Sequence, residues 1–165
     1  MQIRSEAIVD GWIQDRYGGK GTEWIGPRSS LSIPFEIEDA PEGTVSFAVV
    51  FSDPDVVRLK GFVFMHWLIS GLTRTSLPEN ASRTDPTLVQ GVTSWYPGRI
   101  PDRLDSCFYG GPNPPDAPHT YVLKAYALDF IPSLVTGFTH DELMAEIEGH
   151  IISECEIHGL YSPRQ

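Results

Sequence analysis

The segment YGGPNPPDAPHTYVLKAYALD, Tyr109 to Asp129, joins two unlike kinds of chain with no linker between them. Its first ten residues hold two glycines and four prolines, and the eleven that follow, HTYVLKAYALD, turn into an apolar run. Proline fixes φ and glycine admits conformations closed to other residues, so the first half reads as a shaped loop. The second half reads as a buried strand, with His119, Tyr121 and Leu123 on one face of its pleat. A histidine stands at the join.

Outward from this strand, others of the same kind follow. TVSFAVVF (Thr44 to Phe51) places Val45, Phe47, Val49 and Phe51 on one face and small or apolar residues on the other, the pattern of a strand buried on both sides. In LSIPFEI (Leu31 to Ile37), Ile33, Phe35 and Ile37 alternate with Pro34 and Glu36, and the embedded proline points to a sheet edge. The EDAPEG connection between these two has the turn chemistry and length of a hairpin. FVFMHWLIS (Phe62 to Ser70) gives a further buried strand, with His66 on the face of Phe64 and Leu68.

One helix is expected near the C-terminus. Thr139 and Glu142 fit a capping box, and Leu143, Ile147 and Ile151 recur at a spacing of four. After Ile152 the period shifts to two, with Cys155 and Ile157 on one face of a closing strand. Many short strands, abundant Gly and Pro and a late helix define a mostly β protein. The expected form is an antiparallel β-sandwich with one or two short helices near the C-terminus, residues 1–165 making a single domain. The connection from Asn80 to Pro118 is long and irregular, and loops of that length in a compact domain usually carry function.

The composition removes several function classes. With 22 acidic against 12 basic residues among 165, the chain carries a formal charge of -10 and has no Lys/Arg run. Nucleic acid and anionic membrane surfaces are therefore not expected partners. No apolar run reaches the roughly 20 residues that span a bilayer, and Met1 to Asp10 lacks a signal-peptide core. Cys107 and Cys155 are too few for a disulfide framework or a zinc knuckle, which fits a reduced, cytoplasmic setting.

Against this apolar background three titratable groups intrude: Asp53 in FSDPD, where a buried strand stops, His66 inside a strand, and His119 at the mouth of another. An unpaired buried polar group costs about 1–3 kcal/mol. Singly, each has a bland explanation, since a buried histidine is commonly a satisfied core residue and Asp-Pro-Asp commonly turns a corner. Jointly they suggest one pocket beside the Gly-Pro loop. His140 in the capping box is expected to be exposed, and His150 and His158 show no evident partner. Trp12, Trp24, Trp67 and Trp95 read as core or interface residues, with Trp95 suited to a pocket lid or a dimer contact.

In order along the chain, DPD, MHW, LPEN, YGGPNPP, HTYVLKAYALD and GFTHDELMAEIEGHIISECEIHGLY resemble the phosphatidylethanolamine-binding protein family. The nearer likeness is its bacterial branch, the YbhB/YbcL or Raf kinase inhibitor-like type, and it covers nearly the whole chain. The resemblance implies a Greek-key β-sandwich with a small pocket for phosphate-like head groups or acetate-sized anions. Matched motif by motif, it assigns to that pocket Asp53, His66, Gly111, Pro112, Pro115 and His119. It implies no cofactor, and it implies a homodimer that no feature of the sequence by itself demonstrates. Three departures stand out: DPDVV (Asp53 to Val57) in place of D-P-D-A-P, Asn113 where the bacterial box carries Cys, and Thr120 in place of the arginine of H-R-Y. Thr93 to Cys107 is also longer than the corresponding family stretch and unlike it. Regulation of kinases, known from animal members, is not carried over.

On this reading Gly110 and Gly111 offer consecutive backbone N–H groups to an anion, and the prolines pre-order the loop so that binding costs less entropy. The leading function is non-enzymatic binding of a small anion or phosphorylated head group. The alternative is a hydrolase in which a His/Asp pair acts as general base on a small ester or phosphate, with no catalytic nucleophile marked by any motif. A metal set of Asp53, His66 and His119 has the right residue types but no local ligand spacing. If Asp53 neighbours a histidine, an imidazolium supplies the anion's countercharge, and acetate affinity falls as pH rises from about 5.5 to about 8.

Overall fold

The computed structural model describes residues 1–164 of the chain. Its strands, in chain order, are β1 (Gln2–Arg4), β2 (Ile8–Val9), β3 (Trp12–Ile13), β4 (Trp24–Ile25), β5 (Arg28–Ser29) and β6 (Phe35–Glu38). There follow β7 (Ser46–Asp53), β8 (Phe64–Leu72), β9 (Ser76–Leu77), β10 (Val89–Gln90), β11 (His119–Leu128) and β12 (Ile151–Tyr161). Three short helices accompany them: α1 (Val57–Lys60), α2 (Ala81–Thr84) and α3 (His140–Ile147). Helix α3 lies near the C-terminus, where a short helix is expected; α1 and α2 are additional, four-residue helices being too short to leave a repeat in the sequence.

The order β10-β8-β7-β11-β12-β3-β2 makes a seven-stranded sheet, β1-β6-β9 a three-stranded sheet, and β4-β5 a two-stranded ribbon. The large sheet is mixed rather than purely antiparallel, because Leu160 of β12 pairs in parallel with Trp12 of β3. That pairing comes from the N-terminal β2–β3 hairpin, whose strands have two residues each and are too short to show alternation.

Strand β7 has a core on each face, as its composition requires. Phe47, Val49 and Phe51 join Trp67, Ile69, Tyr121 and Leu123 in a cluster that also takes Ile3, Phe35 and Ile37 from the three-stranded sheet. Ala48 and Val50 face the other way, against Leu68, Tyr126, Leu128 and the α3 residues Leu143 and Ile147. Each large apolar side chain so buried contributes about 1.5–3 kcal/mol. Val45, grouped with this face from sequence, stands before the strand and is exposed. No helix among the described residues is long and apolar enough to cross a membrane.

Two local readings are corrected. Strand β6 starts after Pro34 and lies between β1 and β9, so it is central and not an edge. The proline sits just ahead of the ladder, where its missing N–H is not needed. The EDAPEG turn is not a hairpin: it carries the chain from β6 in the small sheet to β7 in the large one. Helix α3 opens on the expected box, Thr139 N–H donating to Glu142 Oε2 (2.7 Å) and Glu142 N–H to Thr139 Oγ1 (3.2 Å). It ends at Ile147, and Ile151 begins β12, along which Cys155 and Ile157 pack on the first core.

Candidate ligand-binding site

The pairing of β7 with β8 slips by one residue at the position of His66. Phe51 stands opposite Trp67 and Ser52 opposite Met65, so His66 is an extra residue bulged out of the ladder. A bulge re-aims a side chain. Here it turns His66 toward the first core's face, while Leu68, expected beside it, belongs to the second core. Phe64, Trp95, Tyr121 and Phe51 surround the imidazole at ring-centroid distances of 4.9, 5.1, 5.2 and 5.7 Å. Burial among these rings pulls His66 down to about 4, against a smaller opposing pull from the Gly110 carbonyl and Asp53. The ring is therefore neutral near pH 7. Its Nδ1–H donates to Gly110 O (2.6 Å), leaving Nε2 as an acceptor.

Asp53 ends β7 and is 3% exposed. Its Oδ1 accepts from Val56 N–H (3.0 Å), the turn-forming role that Asp-Pro-Asp suggests, and its Oδ2 lies 2.7 Å from His119 Nδ1. The other His119 nitrogen, Nε2, lies 3.0 Å from Asp116 Oδ1, and Arg58 Nη2 reaches Asp116 Oδ2 at 2.9 Å. Asp55 Oδ2 accepts from Thr120 N–H (2.7 Å). The two aspartates thus tie the end of β7 to the start of β11. Arg58, from α1, stands beside His119 although residue 120 is not arginine.

The glycines of the loop do different work from the one their spacing suggests. Gly110 N–H donates to His66 O (3.0 Å) and Gly111 N–H to Ser29 O (2.9 Å), so neither is left for an anion. What requires glycine is close approach. A Cβ on Gly110 would meet the Trp95 ring at 2.3 Å, and one on Gly111 would meet Tyr17 O at 2.1 Å. His66 and Gly110 therefore hold each other twice, by backbone and by side chain.

Around these groups lies a cavity of ≈ 250 Å³. Asp53, His66, Gly111 and Pro115 line it; Pro112 and His119 do not. Pro112 instead gives its carbonyl to Gly19 N–H (2.6 Å), and His119, 0% exposed, sits behind Asp53. Trp95 is a buried part of the wall rather than a lid or an outer surface, and Ser94 and Arg99 of the unfamiliar 93–107 segment join it there. Trp12, by contrast, is 44% exposed. Sequence reasoning missed Tyr121, Lys60, Arg99 and above all Arg28. Tyr121 was legible, since it shares the pleat face of His119; its phenol is pushed up by burial and by the Asp53 carboxylate.

Arg28, on the β4–β5 ribbon, is 2% exposed. Its Nη2 donates to Asp105 O, while Nε and Nη1 are buried with no partner. Burial and the neighbouring Arg83 guanidinium lower it to about 10, which leaves it charged near neutrality.

The remaining titratable groups are ordinary. His150 and His158 do have partners, Asp129 Oδ1 and Glu156 Oε1, each at 2.8 Å, and His140 is half-buried. Cys107 and Cys155 are free thiols, and burial raises both. No group of three His, Cys, Asp or Glu side chains among the described residues is placed to hold a metal ion.

A mostly β protein with a small polar cavity walled by aromatic rings is the class this geometry defines. Residues 4–162 match the phosphatidylethanolamine-binding protein family, and the chain belongs to it. It is 33% identical to a Chlamydia muridarum protein over 98% of both chains, and 31% identical to YxkA of Bacillus subtilis over 88% of this chain and 86% of YxkA. Among solved structures it is similar to a Chlamydia trachomatis homologue of phosphatidylethanolamine-binding protein, with a TM-score of 0.79 and 30% identity over 99% and 97% of the two chains. It is also similar to Escherichia coli YbcL, described as a member of the mammalian family, with a TM-score of 0.77 and 26% identity over 99% and 98%.

Proposed function

We propose that the cavity binds a small anion or a phosphorylated head group and releases it unchanged. The observation that carries this reading is the balance of charge on the wall, where the cations Arg28, Lys60 and Arg99 face the single carboxylate of Asp53. In a chain of net charge -10 that local excess of positive groups is unusual, and it attracts an anion into a cavity partly walled by aromatic rings. Membership of a ligand-binding family supports the same reading.

The hydrolase alternative fares worse on geometry. The contact between Asp53 and His119 has the form of a general base and its orienting carboxylate. His119, however, is fully buried and off the cavity wall, so it cannot reach a substrate. His66 does line the wall, but its Nδ1–H is spent on a backbone carbonyl with no carboxylate to orient it.

Calorimetric titration of the purified chain with acetate, inorganic phosphate and phosphoethanolamine tests the proposal. Saturable binding of at least one is expected, with no turnover of p-nitrophenyl phosphate or acetate. Absence of saturation with all three overturns the binding reading. Steady hydrolysis abolished by His66→Gln would establish the enzyme instead.

A further inference from the structure

We propose that the anionic end of the ligand is held by a buried arginine subsite, Arg28 backed by Arg83 with the Ser29 hydroxyl beside them. On this view the guanidinium pair, and no histidine, supplies the countercharge. The inference rests on reading the cavity as an anion site, and it names the groups that make it one.

Two observations carry it. The first is unmet donors: Nε and Nη1 of Arg28, Nε and Nη2 of Arg83, and Oγ of Ser29 are all buried without a partner. Arginine presents five N–H donors and natural interiors rarely leave such groups orphaned, so this cluster calls for an acceptor with several oxygens. The second is charge met only in part. Arg83 lies near enough to Arg28 to lower it, and neither forms an ion pair among the described residues. Asp105 gives Arg28 its backbone carbonyl, and its carboxylate favours both charged guanidiniums without forming an ion pair, while Arg83 packs its guanidinium 3.9 Å from the centre of the Phe108 ring. Two adjacent guanidiniums with no carboxylate in contact are costly, and an oxyanion entering beside Arg28 would meet its free donors and add countercharge to the pair.

The site is built into the wall rather than added to its rim. Arg28 lines the cavity from β5, Ser29 follows it, and the Ser29 carbonyl anchors Gly111. The groups facing Arg28 are Arg83 from α2 and Asp105 and Cys107 from the 93–107 segment. The other titratable groups on the cavity wall are Asp53, Lys60, His66, Arg99 and Tyr121. His66 is neutral above its value of about 4, and its free Nε2 accepts rather than donates. Arg28 receives an oxyanion, while Asp53 and His66 Nε2 accept hydrogen bonds from a hydroxyl or ammonium of the same ligand. The ligand class that satisfies both is a phosphate monoester or carboxylate bearing a second, donating group, and the wall cations Arg28, Lys60 and Arg99 favour the dianionic phosphate.

The pH profile separates this from charge supplied by histidine. Both arginines stay protonated between about pH 5.5 and about pH 8, where an unperturbed histidine would titrate. Acetate, a monoanion throughout, should keep its affinity within about twofold. Phosphoethanolamine should bind more tightly as its phosphate loses its second proton near pH 6. The experiment is calorimetry with both probes across that range on wild type, Arg28→Gln, Arg28→Lys and Arg83→Gln, with circular dichroism as the control for folding. Loss of charged hydrogen bonds in Arg28→Gln should cost about tenfold or more in affinity, with partial recovery in Arg28→Lys and a smaller loss in Arg83→Gln. A folded Arg28→Gln that binds as wild type overturns the subsite and leaves the anion pocket standing. So does an acetate affinity that falls tenfold as pH rises, because a histidine then holds the charge. Wild type that binds neither probe overturns the pocket and the subsite together. Should Arg28→Gln not fold, the wild-type pH profile and Arg83→Gln decide.

Discussion

His66 and His119 stand on the strands that flank β7 on either side, and Asp53 ends β7 between them. Their surroundings are opposite. One imidazole is enclosed by four aromatic rings and held by a carbonyl; the other lies between two carboxylates with an arginine at hand. The first faces the cavity and the second lies behind it. Two residues of one type, alike in sequence as polar intruders in apolar strands, thus divide into a cavity-facing acceptor and a strut. Position in the sheet does not separate them. The neighbours do.

The largest effect that can break this contrast is on the strut. His119→Leu removes the partner of a carboxylate that is 3% exposed, and leaving a buried charge unpaired costs about 3–5 kcal/mol. Denaturant unfolding should register that loss, and Asp53→Ala should destabilise as well because it also deprives Val56 N–H of its acceptor. A change below about 1 kcal/mol in His119→Leu would mean that the pair is not structural.

Next comes acid. His66 is held near 4 in the folded chain against 6.5 ordinarily, so the unfolded chain binds the proton first. The stability it confers is complete above about pH 6.5 and is lost as pH falls from there to about 4, by about 3 kcal/mol in all. Other carboxylates titrate in the same range, so the measurement is the difference between wild type and His66→Gln. That difference should change with pH over this window, and parallel curves would place His66 outside the ring of aromatics.

Gly110→Ala sharpens the contrast from the loop's side. The new Cβ meets the Trp95 ring, which must shift within the cavity wall, and overpacking of this kind costs about 1–3 kcal/mol. Ligand affinity should fall along with stability, whereas a variant stable but unable to bind would show that Trp95 moves freely. The smallest effect belongs to Thr139→Ala, which removes half of the α3 capping box for about 1 kcal/mol. Being remote from both histidines, it should leave binding unchanged.

Much of the scaffold was legible because period-two alternation survives where a strand is long, as in β7, β8, β11 and β12. Spacing places Ile151 on the helix face because a step of four residues is in phase with both a helix face and a strand face, and spacing alone cannot divide them. The EDAPEG turn was legible as a turn, but turn chemistry does not say which sheet receives the next strand. Asp53 and His66 announced themselves as polar residues in apolar runs. Arg28 did not, since it sits in a two-residue strand after Gly-Pro, and an arginine in such a segment is ordinarily at the surface. The consecutive glycines suggested open N–H groups; only the positions of Trp95 and Tyr17 show that the constraint is steric.

The bulge at His66 makes the imidazole a removable part. Strands on either side of it keep their pairing, Phe51 with Trp67 and Ser52 with Met65, so excising residue 66 would close the ladder without reversing any neighbour's face. A single codon therefore separates a sheet that presents an acceptor to the cavity from one that does not. The acceptor on the wall thus depends on one inserted residue, so its loss by deletion would leave the rest of the sheet in register.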